Sequence, residues 1–573
     1  MTSYLDDVIG VVALATGGDA GALIGLRKHD VKSVCVDGPR LISDRLATEV
    51  LGAHIGNADA VSEALVQAVH KVEPMLERLA RWDVQGHSHL VFTLMSVCTV
   101  ASKAHWARVE VPSQAAGAQW IFARRIFALL RGMLGVAEMA TEQELLATLS
   151  RACSGLGLPI YHSGLEYAAS VLYGCGVMRG RSIELRVDSV AEAQALVQRG
   201  IDNLSLLPAD DYESWTVAEM KGLQSRFLER EHLARLEPLV TRLLANPSPQ
   251  NSTWLSRLLE NACPLSYAWM SSVPGRTRAP LDSAAVLLGI RARLLLSAFP
   301  KGASRAACGC GVAVALEDQF SAESIAGVGP EFGSPVGEEL FQEDSGVPAH
   351  VDAAAAAYAA EVARLAHGAV VEATAGLALR SDLSHAMRCL YAARLRTVRH
   401  DAACACLQSG YRAAGYEVVR EVPTGAGQKR GDLLIAGLGK HFDLSIVTLD
   451  EVVDGGFPAL ELGAGLARGV KTAEQERAFR AWRVAAQGVA FGAMARQAAF
   501  KRAHHAPAQV TPLILSAGGA ISREDDELLP CPADRNGRHW TRVELSVVLL
   551  KYRCKLAWQM WSRRGPVVQQ AAA

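Results

Sequence analysis

The sequence predicts a multidomain protein that is mostly α-helical, with an α/β portion towards its C-terminal end. Three observations predict this class. The chain has 573 residues, enough for several domains with separate cores. From about Ala58 to Pro300, apolar residues recur at helical spacing, as in ADAVSEALVQAVHKVEPMLERLARW and QWIFARRIFALLRGML. Between Tyr416 and Val447 the pattern changes to three β-type runs, YEVVREV, DLLIAGL and FDLSIV, separated by Gly, Pro and Lys. A long helical segment, about Thr472 to His505, and a fourth apolar run, TPLILSA, follow. A three-stranded meander, a helix and a further strand make a mixed sheet flanked by helices.

Composition narrows the function classes. Half of the residues (50%) are hydrophobic and the formal net charge is −1, so the chain has no global attraction to nucleic acid and any such binding must come from local basic faces. No apolar run is long enough to span a bilayer and no signal peptide is evident, so no membrane partner is expected. The Cys count of 12 lacks the density of a secreted disulfide scaffold, and an intracellular, reduced setting is expected.

Taken in order, residues 1–57 open with Ser3-Tyr4-Leu5-Asp6-Asp7 before an apolar run. Adjacent carboxylates at a hairpin tip suit the metals that bridge a primer and a triphosphate. The Tyr-x-Asp-Asp resembles the catalytic hairpin of reverse transcriptases, and Val50-Leu51-Gly52-Ala53-His54-Ile55-Gly56 resembles the primer-grip hairpin, with His54 in place of the commoner Pro. A polymerase palm needs a further metal-binding Asp upstream. With Met1 three residues before Tyr4, Asp6 and Asp7 are expected to be a polymerase remnant without autonomous activity.

Residues 58–300 read as a helical thumb and linker, in which Arg124, Arg125 and Arg131 either touch a nucleic-acid backbone or form a solvated helix edge. Residues 301–398 hold Cys308, Cys310, His385 and Cys389 around a long Ala-rich insertion. Two such pairs can close a tetrahedral Zn²⁺ site, and His385 and Cys389, four apart on a helix, would point the same way. Free buried cysteines fit the spacing equally.

Residues 399–520 carry the densest signal. A basic cluster, Arg394, Arg396, Arg399 and His400, precedes the strands. Guanidinium groups pair well with phosphate oxygens, although an ordinary basic helix face has the same composition. Asp432 opens the second strand and Asp443 the third, and Glu421 ends the first. Carboxylates on adjacent strands can converge on one Mg²⁺, which prefers hard oxygen donors, or can be ordinary strand-end charges. Lys501, in ARQAAFKRAHH, sits where it can support phosphate charge or cap its helix.

Arg399-His400-Asp401, Glu421, Gly431-Asp432 and Phe442-Asp443-Leu444-Ser445 together resemble the restriction-endonuclease-like (PD-(D/E)xK) domain of non-LTR retrotransposon reverse transcriptase proteins. Gly431 replaces the usual Pro, and Ser445 stands where ordinary restriction-type nucleases have lysine, which this family moves to a helix. The resemblance implies a fold in which a partial polymerase palm and thumb precede a zinc knuckle and a restriction-endonuclease-like mixed sheet. It implies Mg²⁺ at Asp432 and Asp443 with help from Glu421 and Lys501, and Zn²⁺ on the Cys308, Cys310, His385 and Cys389 knuckle. The implied function is target-site nicking of DNA by an N-terminally truncated retroelement protein. Expected partners are DNA, RNA and a separately encoded polymerase half, in the nucleus. The alternative is a catalytically inactive nucleic-acid-binding relic. Residues 521–573 read as a C-terminal tail, whose Arg-, Lys- and Trp-rich stretch from Val547 to Gly565 either packs or binds nucleic acid.

Overall fold

In the computed structural model of the chain, a helical core and a sheet core are joined by helices that contribute to both. The structure describes residues 47–50, 53–56, 58–100, 105, 106, 110, 112–158, 223–247, 249–272, 281–296, 393–423, 430–449, 456–460, 473–506, 509–531 and 537–562.

The first core is helical. A short antiparallel hairpin, β1 (Ala47–Val50) and β2 (Ala53–Gly56), leads into α1 (Ala58–His70) and α2 (Glu73–Val84). The His54 amide and Nδ1 lie 2.8 and 2.9 Å from the buried Glu110 carboxylate, which ties the hairpin to the helical body. α3 (Ser88–Leu94) continues into a π-helical turn at Met95–Val100. Then come α4 (Pro112–Leu134), α5 (Thr141–Thr148), α6 (Leu223–Ala245), α7 (Pro249–Asn261), α8 (Pro264–Ala268) and α9 (Ser283–Arg293). Each turns an apolar stripe inward: Val61, Leu65 and Val69 of α1 are buried at four-residue spacing, and Pro112 and Pro264 stand at helix starts, where a missing N–H costs little.

One expectation fails here. Arg125 is buried and pairs with Glu73, so it is not a backbone contact, whereas Arg124 is exposed and stacks 4.8 Å from the Trp120 ring.

The second core is built on a mixed four-stranded sheet. α10 (Ala393–Ala413) precedes β3 (Val418–Pro423), β4 (Arg430–Ile435) and β5 (Lys440–Val447), and α11 (Ala473–Ala490) and α12 (Gly492–His505) precede β6 (Val510–Ser516). The strand order is β3-β4-β5-β6, with β3–β4 and β4–β5 antiparallel and β5–β6 parallel. The second β-type run ends sooner than its composition suggests. Ala436–Leu438 is a tight turn closed by Gly439 at φ +60°, because the chain must reverse at once to pair Ile435 with Lys440. The expected long helix breaks at Phe491 into α11 and α12, and each half packs on a different core.

Period-two alternation separates the faces of the sheet. Leu433, Ile435, Phe442, Leu444, Leu513 and Leu515 face α10 through Ala403, Cys404, Leu407 and Tyr411. Ile514 faces the other way, onto Met494 of α12. Of the two readings of the tail, packing is the one seen: its main element is α14 (Gly537–Ser562), which follows the short α13 (Arg523–Glu527). Its Leu545, Val548 and Leu549 join the sheet core, while Val543, Val547, Leu550 and Cys554 join the helical core. A helix apolar on two sides must be covered on two sides, and α14 is. Among the described residues, no helix is long and apolar enough to cross a membrane.

Candidate active site

Asp432 and Asp443 meet at one end of the sheet. The paired residues of β4 and β5 run from Ile435 with Lys440 to Leu433 with Phe442. Continued one step, the same register would set Asp432 opposite Asp443; the two side chains are neighbours, Asp432 held from the α10 side and Asp443 from the α12 side. The ladder stops there, so the strands part beside the two acids. The Asp432 carboxylate fills that gap: its Oδ2 accepts from the Leu444 amide at 2.7 Å.

Side chains from two helices hold the acids. From α10, His400 Nε2 lies 3.2 Å from Asp432 Oδ2 and 3.2 Å from the Leu444 carbonyl. From α12, Lys501 Nζ donates to Asp443 Oδ1 at 2.8 Å and His505 Nε2 contacts Asp443 Oδ2 at 2.7 Å. Gln497, one turn before Lys501, donates to the Ser445 hydroxyl at 3.2 Å. Helical spacing explains the set. Gln497, Lys501 and His505 follow one another at four-residue steps along α12, and Asp443 and Ser445 alternate onto the strand face that meets them. His505 was not singled out in the sequence, although its spacing from Lys501 in KRAHH carries the signal.

The electrostatics follow from that packing. The hydrogen bond to Asp432, then that to Cys404, raises the His400 imidazole from its ordinary 6.5 to about 11, against the opposing effect of burial. Burial works to raise the Asp432 carboxyl, but His400, the Leu444 amide and the neighbouring Asp443 side chain outweigh it and hold it below its ordinary 3.8. The sign for stability is therefore fixed. His400 contributes fully below its ordinary 6.5 and loses the contribution as pH rises towards about 11. Asp432 contributes above 3.8 and loses it as pH falls through its lowered value. In chelator-treated protein the pair stabilises most between those two ordinary values. The His400→Gln variant is expected to show a flatter decline of urea midpoint on the alkaline side than the parent, and parallel curves would exclude the pair as a source of pH dependence.

Other expected site residues lie elsewhere. The Glu421 carboxylate is 68% exposed and sits 3.7 Å from Arg430, outside the acid pair. Its φ of +53° is a backbone conformation that L residues rarely adopt, and it distorts β3 at the position opposite Asp432. Arg399, expected to position phosphate, is only 2% exposed because it falls on the inner side of α10. Burial, with Arg396 and Arg553 nearby, lowers its guanidinium to about 10. Arg394 is exposed and Arg396 half-buried, so these two remain candidates for a backbone contact. Asp6, Asp7, Cys308, Cys310, His385 and Cys389 lie outside the described residues.

The donors offer two kinds of metal chemistry. Asp432 and Asp443 supply hard carboxylate oxygens, while His400, Cys404 and Asp432 bring imidazole, thiol and carboxylate atoms within 4.8 Å of one another. A scan against protein-family models finds no match for this chain, and no curated protein matches its sequence.

Proposed function

We propose that α10, β3 to β6 and α12 form a Mg²⁺-dependent DNA endonuclease-like domain of retroelement type, attached to a helical body of thumb-and-linker type. The observation that carries this reading is the approach of Asp432 to Asp443, with Asp432 seated on the Leu444 amide and the Lys501 ammonium on Asp443. The order of elements, helix, three-stranded meander, helix and parallel fourth strand, supports the restriction-endonuclease-like assignment. The β1–β2 hairpin, with His54 tied to Glu110, supports the polymerase-remnant assignment for the segment that begins with Asp6 and Asp7.

The donor set fits Mg²⁺, which needs one or two carboxylates and takes its remaining ligands from water and phosphate. Mg²⁺ held there would polarise the scissile phosphate and lower the pKa of its water. The chain's own residues do the rest. Asp432 and Asp443 would hold the ion, and Lys501 would stabilise charge developing on the phosphate oxygens. His505 fixes the orientation of the Asp443 carboxylate by holding its second oxygen. His400 and the Leu444 amide fix Asp432. Arg394 and Arg396, at the start of α10, position the DNA backbone without reading its sequence. Water attacks phosphorus and gives its proton to solvent, the P–O3′ bond breaks, and the leaving O3′ takes a proton from solvent. Nicking of this kind would free a 3′ end to prime reverse transcription.

A specific observation favours a second reading, nucleic-acid binding without cleavage. Both Asp443 oxygens already carry a protein partner, Lys501 on one and His505 on the other, so the ion must share or displace them. Nicking of supercoiled DNA by the full chain in Mg²⁺ or Mn²⁺ separates the two. Asp432→Asn and Asp443→Asn are each expected to reduce nicking by on the order of 100-fold or more, the size of losing one electrostatic stabiliser from a site. Equal, negligible cleavage by parent and variants, with retained DNA binding, leaves the binding-only reading.

A further inference from the structure

We infer that His400, Cys404 and Asp432 form a binding site for a divalent transition-metal ion of the zinc class, separate in chemistry from the carboxylate pair although it shares Asp432. Imidazole, thiolate and carboxylate are the donors that borderline ions such as Zn²⁺ and Co²⁺ select and that Mg²⁺ avoids. This inference does not depend on the nuclease reading.

The geometry is close to what such an ion requires. Zinc bonds of ~2.0 to 2.3 Å in a tetrahedron place neighbouring nitrogen and oxygen donors ~3.3 Å apart, and sulfur and nitrogen ~3.6 Å apart. His400 Nε2 and Asp432 Oδ2 are 3.2 Å apart, and Cys404 Sγ is 3.9 Å from both His400 ring nitrogens, so the thiol turns towards Nε2 when it ligates. All three donor atoms lie within 4.8 Å of one another. His400 and Cys404 are one helical turn apart on α10, so a single helix presents both, and the strand supplies the third. Three protein ligands leave a fourth position for water, and the half-buried His400 and Asp432 give the ion a path from solvent.

A second feature points to a metal. The other His400 ring nitrogen, Nδ1, faces Asp401 Oδ1 at 3.5 Å, and Asp401 in turn lies 3.8 Å from Arg420. A ligating histidine commonly directs its second nitrogen to a carboxylate, which fixes its tautomer and orientation. The Leu444 amide holds Asp432 in the same way. On binding, the Nε2 proton and the thiol proton pass to solvent, and Nε2 exchanges its contact with Asp432 for the ion. Because Asp432 Oδ2 then belongs to this ion, occupancy competes with Mg²⁺ at the carboxylate pair.

Titration of the chelator-treated full chain with Co²⁺, followed by absorption, tests the site. The parent is expected to show a near-ultraviolet thiolate-to-cobalt band together with tetrahedral visible bands. His400→Gln, Cys404→Ser and Asp432→Asn are each expected to lose one equivalent of bound Co²⁺ and the matching share of these bands. His400→Gln is the safeguard against misfolding, since His400 is half-buried whereas Cys404 lies in the core. A Cys310→Ser variant serves as the reference for cobalt bound elsewhere in the chain. Stoichiometry and thiolate band unchanged in His400→Gln, or in a folded Cys404→Ser variant, overturn the inference. Nicking is not the readout, so a chain that never cleaves DNA still passes or fails this test.

Discussion

Asp443→Ala is expected to lower the unfolding free energy by about 3 to 5 kcal/mol, the cost of removing one partner from a buried ion pair. Asp443 is 3% exposed, and it contacts both Lys501 Nζ and His505 Nε2. Without it, Lys501, whose side chain is 21% exposed, can swing towards water, but His505 cannot, because its side chain is 4% exposed. The effect should therefore sit near the lower end of that range. Asp443→Asn keeps a carbonyl for Lys501 and an amide towards His505, so its loss should be less than about 2 kcal/mol, nearer the value of single hydrogen bonds. Urea unfolding followed by circular dichroism checks both. The two variants also separate structure from chemistry: Asp443→Asn should stay folded yet cleave as poorly as Asp443→Ala. An Asp443→Ala loss below about 1 kcal/mol would mark the contacts as solvent-screened, in the range of surface pairs, and would remove the held-carboxylate arrangement from the argument.

How much of this site could be read from the sequence depended on which element carried each residue. Asp432 and Asp443 flank a short turn, and in a tight antiparallel hairpin the turn fixes which residues face each other. The acid pair was therefore legible from composition and spacing. Lys501 was legible as a basic residue on the helix before the last strand, but not its partner, since helix phase relative to a distant strand is set by packing. The same reason hid Cys404 and His505. It also placed Arg399 on the wrong side of α10: Ala403, Leu407 and Tyr411 define the buried stripe, and Arg399 lies four residues before Ala403 on it. Glu421 was misplaced for a different reason. Its positive φ is a local distortion that no residue type at that position announces, since Glu is not among those that favour it. In the last helix, Arg, Lys and Trp interrupt two apolar stripes that serve two cores at once, so composition alone leaves packing and nucleic-acid binding both open.

The sheet keeps its place on the helical body through the turn after β6, and Gly519→Ala is expected to break that attachment at a cost of about 2 to 5 kcal/mol, combining left-handed backbone strain with overpacking. In this turn the Ser516 hydroxyl donates to Glu260 of α7, the Gly518 amide donates to the same carboxylate at 3.0 Å, and the Ala517 amide donates to the Val447 carbonyl at 2.7 Å. Gly519 has a φ of +94°, and a Cβ there would stand 2.7 Å from Ser266 Cα and 2.9 Å from Ser266 N at the start of α8. Those neighbours are backbone atoms, so no side chain can swing away to make room. Gly439 is the control. It too has positive φ, +60°, but a Cβ there meets nothing within 4 Å, so Gly439→Ala should cost only about 1 to 2 kcal/mol of strain. Thermal unfolding of the two variants isolates the clash as their difference. β6 pairs alongside β5 from His441 to Val447, the span that contains Asp443 and Leu444. A loosened turn should therefore also blur the acid site, lowering Co²⁺ affinity in Gly519→Ala and leaving it intact in Gly439→Ala. Equal melting temperatures for the two would mean that the turn does not bear on Ser266, and the coupling between helical body and site would go with it.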